Sequence, residues 1–250
     1  MQRINFLGSP MDVASMGETV ALIRDRILRQ EFTQHVVVNV AKLVNMRTDL
    51  ELAQSVTECD IINIDGMGVV WGARFLGHDV PERVAGVDLF LELNAMAATE
   101  KLPVFYLGAK PEIVEKTALV MRGKHPELIM AGYHHGYFWD DEQAIVDQIR
   151  QSGAKLLFVA ITSPKKENFI NRWKDQLGVS FVMGVGGTFD VVAGHVSRAP
   201  LWMQKSGLEW LYRVLQEPRR MWKRYLVTNT KYAWLLLLER LSGNKNSNKL

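Results

Sequence analysis

The sequence has almost no cysteine and no long hydrophobic run. Cys59 is the only cysteine among 250 residues, so the chain can form neither an internal disulfide nor a cysteine-cluster metal site, and a reducing, cytoplasmic setting is the simplest expectation. The apolar run in residues 232–238 is far shorter than the roughly eighteen residues that a spanning helix needs. Residues 1–10 lack a charged segment followed by an apolar core, so we expect no signal peptide.

Sequence signatures of metal enzymes and of common nucleotide-binding loops are also missing. The chain contains no His-x-x-x-His, Asp-x-Asp or Gly-x-Ser-x-Gly pattern, and neither a G-x-G-x-x-G nor a Walker loop occurs. His134 and His135 are adjacent, so their side chains point in different directions and make a poor pair of metal ligands. We therefore expect no tightly bound metal and no cofactor.

Charge is distributed unevenly along the chain. Hydrophobic residues make up 48% and charged residues 23% of the sequence, which is ordinary for a globular protein. Residues 198–250 hold eleven Lys and Arg against three Asp and Glu, a net charge of +8, whereas residues 1–197 carry −5. A mildly acidic body with a strongly basic tail indicates an anionic partner for the tail.

Short apolar segments of strand type alternate with segments of helical periodicity. Six strands of buried character are predicted at residues 35–40, 60–64, 104–107, 128–131, 156–161 and 181–185, after a shorter strand at 3–6 and a turn at 8–10. This alternation predicts an α/β fold with a mainly parallel six-stranded sheet and helices on both faces. Asp140 and Ser163 are the predicted N-caps of two helices, with Pro164 at the first helical position of the second.

The pattern changes after the last predicted strand. Residues 200–215 and 218–241 predict two helices with no strand after them, and their tryptophans and leucines mix with arginines and lysines. We therefore interpret residues 1–197 as an α/β body and residues 198–242 as a basic, aromatic-rich helical appendage. Residues 243–250 are predicted to be disordered.

Asp65 and Arg83 are the first candidates for chemistry. Asp65 follows the strand at residues 60–64, and ligands of parallel α/β sheets bind beyond the carboxyl ends of the strands. Arg83 returns towards it in the loop PERVAG, which places a candidate anion binder beside a candidate base. Each has a structural alternative: Asp65 suits the N-cap of the next helix, and Arg83 suits a weak surface ion pair.

Glycine and polar residues follow other strands. Gly108 and the pair Gly186-Gly187 offer unhindered backbone amides that can hold phosphate oxygens, although a plain tight turn is the default interpretation. Thr188 and Asp190 add polar groups at the same rim.

Asn39 and Lys166 are two further polar candidates. Asn39 ends the strand HVVVN, where a place in the ligand crevice and a structural hydrogen bond are about equally good interpretations. Lys166 belongs to the helix start SPKKE, which predicts either a solvated charge cluster or a lysine that faces an anionic ligand in the crevice.

Seven segments in a fixed order carry a family signature. They are VVNVAKLV, DIINIDGMGVVWGARFLG, PERVAGVDL, VFYLGAKPE, SPKKE, GVGGTFDVVAGHVSRAP and GLEWLYRVLQEPRRMWKRY. In this order and spacing the chain resembles the WecG/TagA/CpsF family, glycosyltransferase family 26. The resemblance implies a Rossmann-like sheet and an inverting transfer of a sugar from a UDP-sugar to a polyprenyl-diphosphate-linked saccharide in surface polysaccharide synthesis.

The resemblance also implies roles for individual residues. Asp65 matches the family's catalytic base, and Arg83 matches the arginine of its PERV-G block. The segment 186–190 aligns with its nucleotide-side loop. In the absence of an Asp-x-Asp metal clamp, Arg83 and four appendage arginines are expected to stabilise the leaving diphosphate. These four are Arg213, Arg219, Arg220 and Arg224.

Two positions depart from the family pattern. Val37-Val38-Asn39 stands where relatives carry Thr-Pro-Asn, and Lys166 replaces the glutamine of Pro-Lys-Gln-Glu. Because that glutamine belongs to the family's site, the contacts it implies do not carry over. The lysine instead suggests an added positive charge for a uronic-acid donor or acceptor.

The implied setting is the cytoplasmic, inner face of the cell membrane, with the protein bound peripherally to anionic lipid through its basic, Trp-rich appendage. The runner-up interpretation is a nucleotide- or nucleic-acid-binding protein that grips phosphates with its +8 tail. We expect no nucleic acid, since no such motif occurs. A third interpretation is a catalytically inert scaffold. The donor sugar, the acceptor saccharide and a homo-oligomeric state are left open.

Overall fold

An eight-stranded sheet forms the centre of the protein. The computed structural model describes residues 1–247, except for the side chains of Arg220, Arg224 and residues 243–247. The strands are β1 (Gln2–Phe6), β2 (Ser9–Val13), β3 (Thr33–Val38), β4 (Ile61–Ile64), β5 (Val104–Gly108), β6 (Met130–His134), β7 (Leu156–Ala160) and β8 (Phe181–Gly184). Their order across the sheet is β1-β2-β4-β3-β8-β7-β5-β6, and every neighbouring pair except β1 with β2 is parallel.

The α/β class and the parallel sheet are confirmed, and the sheet has eight strands where six were predicted. The six predicted strands correspond to β3 through β8, and the other two form an antiparallel hairpin at one edge. β2 was not predicted, because Gly8 and Pro10 indicate a turn. The turn is made by Leu7 and Gly8, both with positive φ, and Pro10 lies inside the strand. The Asp12 carboxylate joins the hairpin to β4 by accepting a 2.8 Å hydrogen bond from the Ile62 amide.

Helices cover both faces of the sheet. In the body they are α1 (Met16–Leu28), α2 (Val40–Met46), α3 (Leu50–Thr57), α4 (Met67–Phe75), α5 (Gly86–Thr99), α6 (Pro111–Lys124), α7 (Glu142–Gln151), α8 (Lys165–Trp173) and α9 (Thr188–Val192). Alternation of side chains along the strands divides the core in two. Val37 and Phe158 pack on the side of α1, α5 and α6, whereas Val38 and Leu157 face the opposite side.

Two predicted helix caps are wrong. The N-cap of α7 is Asp141, whose carboxylate accepts a 3.0 Å hydrogen bond from the Ala144 amide. Asp140 lies one residue too early for this geometry. The N-cap of α8 is Pro164, and Ser163 makes no side-chain cap. The first turn there is closed by backbone instead, since the Lys166 amide donates to the Thr162 carbonyl at 3.2 Å.

The appendage contains three helices, α10 (Leu201–Lys205), α11 (Glu209–Gln216) and α12 (Pro218–Ser247). The single helix predicted at residues 200–215 is divided at Gly207, which has a φ of +73° and a backbone that crosses directly over α4. A Cβ atom at that position would lie 2.6 Å from the Trp71 ring, so only glycine fits. Tyr232 of α12 is buried and donates a 3.0 Å hydrogen bond to the Gly68 carbonyl.

The last helix extends further than the sequence predicted. α12 continues to Ser247, which differs from the disorder predicted from residue 243 onwards, and residues 248–250 lie outside the described part of the chain. Among the helices of residues 1–247, none is both long and apolar enough to cross a membrane.

Candidate active site

The carboxyl ends of three neighbouring strands bring the main candidate residues to one edge of the sheet. Asn39 follows β3, Asp65 follows β4, and Gly186 lies two residues after β8; these strands are adjacent in the order β4-β3-β8. The Asp65 amide donates a 2.8 Å hydrogen bond to the Val38 carbonyl, which fixes the two strand ends side by side. Asp65 therefore lies at the sheet edge beyond the carboxyl ends of the strands, where ligands of parallel α/β sheets bind.

Asp65 is not the cap of the helix that follows it. The N-cap of α4 is Gly66, and no side chain caps that helix. Within the described part of the chain, no residue donates a hydrogen bond to the Asp65 carboxylate. Burial raises the pKa of Asp65, while the positive charges of Arg83 and Arg213 oppose the rise. A partly exposed carboxylate with a raised pKa is a suitable general base.

Arg83 lies in a loop whose backbone is held on three sides. The Val84 amide donates to the Ile64 carbonyl at 2.8 Å. The Arg74 guanidinium donates to the Val80 carbonyl at 2.7 Å and also reaches the next carbonyl of the loop. Glu82 accepts a 2.7 Å hydrogen bond from the first amide of α1. These contacts direct Arg83 back towards the end of β4, as the sequence predicted.

The partner of Arg83 is a carboxylate of the appendage. Its Nη1 atom donates to Glu209 Oε2 at 2.8 Å, and each side chain is only 15% exposed, so the weak surface ion pair considered from the sequence does not describe it. The other Glu209 oxygen accepts from Arg213 Nη2 at 3.4 Å. Burial would raise the pKa of Glu209, but Arg83 and Arg213 hold it below its usual range.

Arg198 is a site residue that the sequence reasoning missed. It forms a bidentate ion pair with Asp88, including an Nη2–Oδ2 distance of 2.7 Å, and so ties the start of the appendage to α5. Its charge also interacts with Asp65 and Glu209. The signal available in the sequence was its place in the block GHVSRAP, but no local pattern separates a tethering arginine from an ordinary one.

Asn39 has the structural role that the sequence left open, but only the oxygen of its side-chain amide takes part in it. Its Oδ1 atom accepts a 3.0 Å hydrogen bond from the Lys42 amide and caps α2. Its amide nitrogen donates to no other described residue, and the side chain is partly exposed beside Gly66. The Nδ2 atom is therefore available to a ligand.

Lys166 lies in the interior, so the prediction that it belongs to a solvated charge cluster is wrong. It is 8% exposed, its Nζ atom is 2.7 Å from Glu167 Oε1, and its methylenes pack on Gly184. Lys42 approaches the same Glu167 oxygen at 2.7 Å and donates to the Val37 carbonyl. Burial would raise the pKa of Glu167, but the two ammonium groups lower it to about 2.

The glycine segments differ in how open they are. Gly108 has a φ of +122°, and a Cβ atom there would lie 2.4 Å from the Ala160 carbonyl oxygen, so strand packing explains this glycine. At Gly186 and Gly187 nothing lies within 4 Å of the Cβ position, which leaves room for a ligand against the backbone. Thr188 is buried and closes the turn by donating to the Val185 carbonyl at 2.8 Å.

The remaining polar candidates are divided between the rim and the surface. The Asp190 side chain is partly exposed, while its carbonyl accepts from the amides of His195 and Val196. Arg213 is half-exposed and acts electrostatically on Asp65, and Arg219 is exposed. The side chains of Arg220 and Arg224 lie outside the described residues.

Comparison with known proteins identifies the family of this chain. The family model described as the glycosyl transferase WecG/TagA/CpsF family matches residues 4–246. A relative from Bacillus subtilis (strain 168), named N-acetylglucosaminyldiphosphoundecaprenol N-acetyl-beta-D-mannosaminyltransferase, is 37% identical over 175 residues, which are 70% of this chain and 67% of the relative. The match to the family model spans the sheet, the strand-end residues and the appendage. The chain therefore belongs to the WecG/TagA/CpsF family of glycosyl transferases.

Proposed function

We propose that the protein transfers a sugar from a UDP-sugar to a polyprenyl-diphosphate-linked saccharide in the synthesis of a surface polysaccharide. One observation carries the proposal: the Asp65 carboxylate stands at the strand ends, accepts no hydrogen bond from any residue in the described part of the chain, and has Arg83 as its strongest charged neighbour. The name of the Bacillus subtilis relative, which specifies a sugar on diphosphoundecaprenol, supports the acceptor class.

In the proposed reaction Asp65 removes the proton of the acceptor hydroxyl as that oxygen attacks the anomeric carbon. A new carbon–oxygen bond forms on one face of the sugar while the bond to UDP breaks on the other, so the configuration inverts. The bonding electron pair leaves on the β-phosphate oxygen of UDP. Each turnover yields the glycosylated lipid and UDP, with Asp65 returning the proton to water.

Positive groups and backbone amides would stabilise the departing diphosphate. The positive charges of Arg83 and Arg213 both act on Asp65, and the open backbone at Gly186 and Gly187 can approach phosphate oxygens closely. These groups make a metal unnecessary in the proposal. Asn39 Nδ2 is left to contact a sugar or acceptor hydroxyl.

The appendage would hold the protein on the inner face of the cell membrane. Four of its tryptophans are exposed to between 40% and 65%: Trp202, Trp210, Trp222 and Trp234. Trp71 and Phe75 of α4 are also exposed. Large aromatic side chains beside arginines and lysines suit insertion at the headgroup level, where each basic residue contributes about 1 kcal/mol on anionic lipid.

The deciding experiment is a panel of UDP-sugars incubated with a polyprenyl-diphosphate-linked saccharide, with release of UDP as the readout. The panel should include N-acetylmannosamine, its uronic acid, glucose and galactose as donor sugars. We expect one donor to release UDP only when the lipid acceptor is present, and the rate to be unchanged by a chelator. The proposal fails if no donor is used, or if UDP release does not depend on the lipid.

A further inference from the structure

Glu209 is a partly buried carboxylate at the candidate site that the proposed reaction does not use. It begins α11, it is 15% exposed, and its two oxygens contact two arginines from different parts of the chain. Oε2 binds Arg83 of the body at 2.8 Å, and Oε1 binds Arg213 of the same helix at 3.4 Å. A carboxylate that occupies two anion-binding groups in the active site needs an explanation.

We propose that Glu209 is a positioning residue of this site: by bridging Arg83 and Arg213 it holds both guanidinium groups in place for the reaction at Asp65. This inference rests on the proposed function. A bridging carboxylate uses Nη1 of Arg83 and leaves the remaining donors of that guanidinium for the diphosphate. It also fixes the rotamer of a long, flexible side chain before substrate arrives.

The bridge has a second effect, on the charge around the base. Among the residues whose side chains the structure describes, the charged groups that act on Asp65 come from several elements: Lys42 of α2, Arg83 of the loop before α5, Arg198 before α10, and Glu209 and Arg213 of α11. Four of these five are cations, which stabilise the ionised form of Asp65 and weaken it as a base. Glu209 is the anion among them, so it offsets the positive charge that the leaving group requires.

A competing explanation is that Glu209 blocks Arg83 as a stand-in for the substrate phosphate. The two explanations predict opposite results for Glu209→Gln, which keeps the shape of the side chain and removes its charge. A blocking carboxylate would give a lower KM and a faster enzyme. A positioning carboxylate gives a slower enzyme, and we expect kcat/KM to fall between about tenfold and a hundredfold.

The pH dependence separates positioning from a merely structural role. In Glu209→Gln the arginines act on Asp65 without an opposing charge, so the acid limb of kcat/KM should move to lower pH. Glu209→Asp keeps the charge with a shorter reach, and it should keep the limb in place while remaining slow. Glu239→Gln, an exposed residue of α12 with the same change of charge, should leave the rate and the limb unchanged.

A readout that does not depend on activity tests the bridge itself. Phenylglyoxal labelling followed by peptide mass spectrometry should modify Arg83 severalfold faster in Glu209→Gln than in the wild type or in Glu239→Gln. If the wild type uses no UDP-sugar, the proposed function fails and the labelling still decides the bridge. If the wild type is active and Glu209→Gln matches it in rate, acid limb and Arg83 labelling, or if Glu209→Gln is faster, the inference is overturned.

Discussion

The amide of Val84 donates a 2.8 Å hydrogen bond to the carbonyl of Ile64. This bond brings together the backbones of the adjacent residues, Arg83 and Asp65, at the end of β4. This contact is part of the body and does not involve the appendage. Asp65 and Arg83 are therefore placed by the sheet edge, whereas Glu209 and Arg213 join them only through α11.

The first prediction concerns Asp65. Asp65→Asn should lower kcat by about 10²–10⁴, because an amide cannot accept the acceptor proton. Burial raises the pKa of Asp65, so the acid limb of the wild-type rate should lie above the pH at which an ordinary aspartate titrates. Asp79→Asn, an exposed acid of the following loop, is the matched control. Full activity of Asp65→Asn with the best donor and acceptor would remove Asp65 from its role as base.

The same substitution should change stability in the opposite direction to activity. If folding raises the pKa of a carboxylate, its ionised form is less favourable in the native state than in the unfolded chain. The ionised carboxylate therefore lowers the free energy of unfolding at all pH values above its folded pKa. Asp65→Asn removes this cost. Urea unfolding at pH 7.5 should therefore show an equal or higher free energy of unfolding for Asp65→Asn than for the wild type, with no difference at a pH below both pKa values. A clear loss of stability at pH 7.5 would mean that the arginines outweigh burial.

Much of the fold could be predicted from the sequence, because apolar runs and helical periodicity are local signals. The six parallel strands and the strand-end position of Asp65 follow from them. Pro10 concealed β2, because a proline that follows glycine and serine is typical of a turn, yet here it lies in a strand between β1 and β4. The ion pair between Arg83 and Glu209 joins residues 126 positions apart, and no periodicity reports such a contact.

The interior charges were equally hidden from sequence reasoning. Lys166 follows another lysine at the start of a helix, which is typical of a solvated face, yet Lys165 lies over the Trp139 ring while Lys166 turns inward. Its packing against Gly184 of β8 is a tertiary contact that the helix pattern does not contain. The structure therefore moves Lys166 from the crevice surface to a buried cluster with Lys42 and Glu167.

The second prediction concerns Arg83. Arg83→Ala should lower kcat/KM by at least about tenfold and also destabilise the protein by about 1–3 kcal/mol, because it leaves Glu209 with one arginine in a largely buried place. The matched control is Arg24→Ala, which breaks the more exposed ion pair with Glu100 at 2.6 Å; we expect it to cost at most about 1 kcal/mol and no activity. Equal effects of the two variants on rate would show that Arg83 is an ordinary ion-pair residue.

The third prediction concerns the buried Lys42–Glu167–Lys166 cluster. Glu167→Gln should destabilise the protein by about 3–5 kcal/mol, because two ammonium groups lose their common counter-charge. Folding lowers the pKa of Glu167 to about 2, so its contribution is complete above the pKa of an unfolded glutamate, about 4.3, and is lost as the pH falls towards 2.

This pH dependence can be measured by acid unfolding. The free energy of unfolding of the wild type should decline between about pH 5 and pH 2 more steeply than that of Glu167→Gln. Lys166→Gln, which removes only one of the two ammonium groups, leaves the Lys42–Glu167 pair intact and should cost less than Glu167→Gln. If Glu167→Gln is as stable as the wild type at pH 7, the cluster does not stabilise the fold.

The fourth prediction concerns the exposed tryptophans of the appendage. Burying one such side chain in the headgroup region is worth about 1.5 kcal/mol or more, so each of Trp202→Ala, Trp222→Ala and Trp234→Ala should weaken binding to phosphatidylglycerol vesicles roughly tenfold. Tyr137→Ala, an aromatic that is 64% exposed on the body, is the matched control and should bind like the wild type. Removal of residues 198–250 should abolish both sedimentation with vesicles and transfer to a lipid acceptor.

Two outcomes would count against the membrane role, and they point to different explanations. If the truncated body sediments with anionic vesicles as well as the full chain does, the body carries the lipid contact and the tryptophans have another partner. If the full chain does not bind vesicles but retards RNA or DNA in a gel, and its affinity falls steeply as the salt concentration is raised, the basic tail binds nucleic acid. Two results together would support insertion: the wild type still binds vesicles at moderate salt, and the tryptophan variants do not. Ions screen the attraction between surface charges but do not screen the burial of apolar side chains.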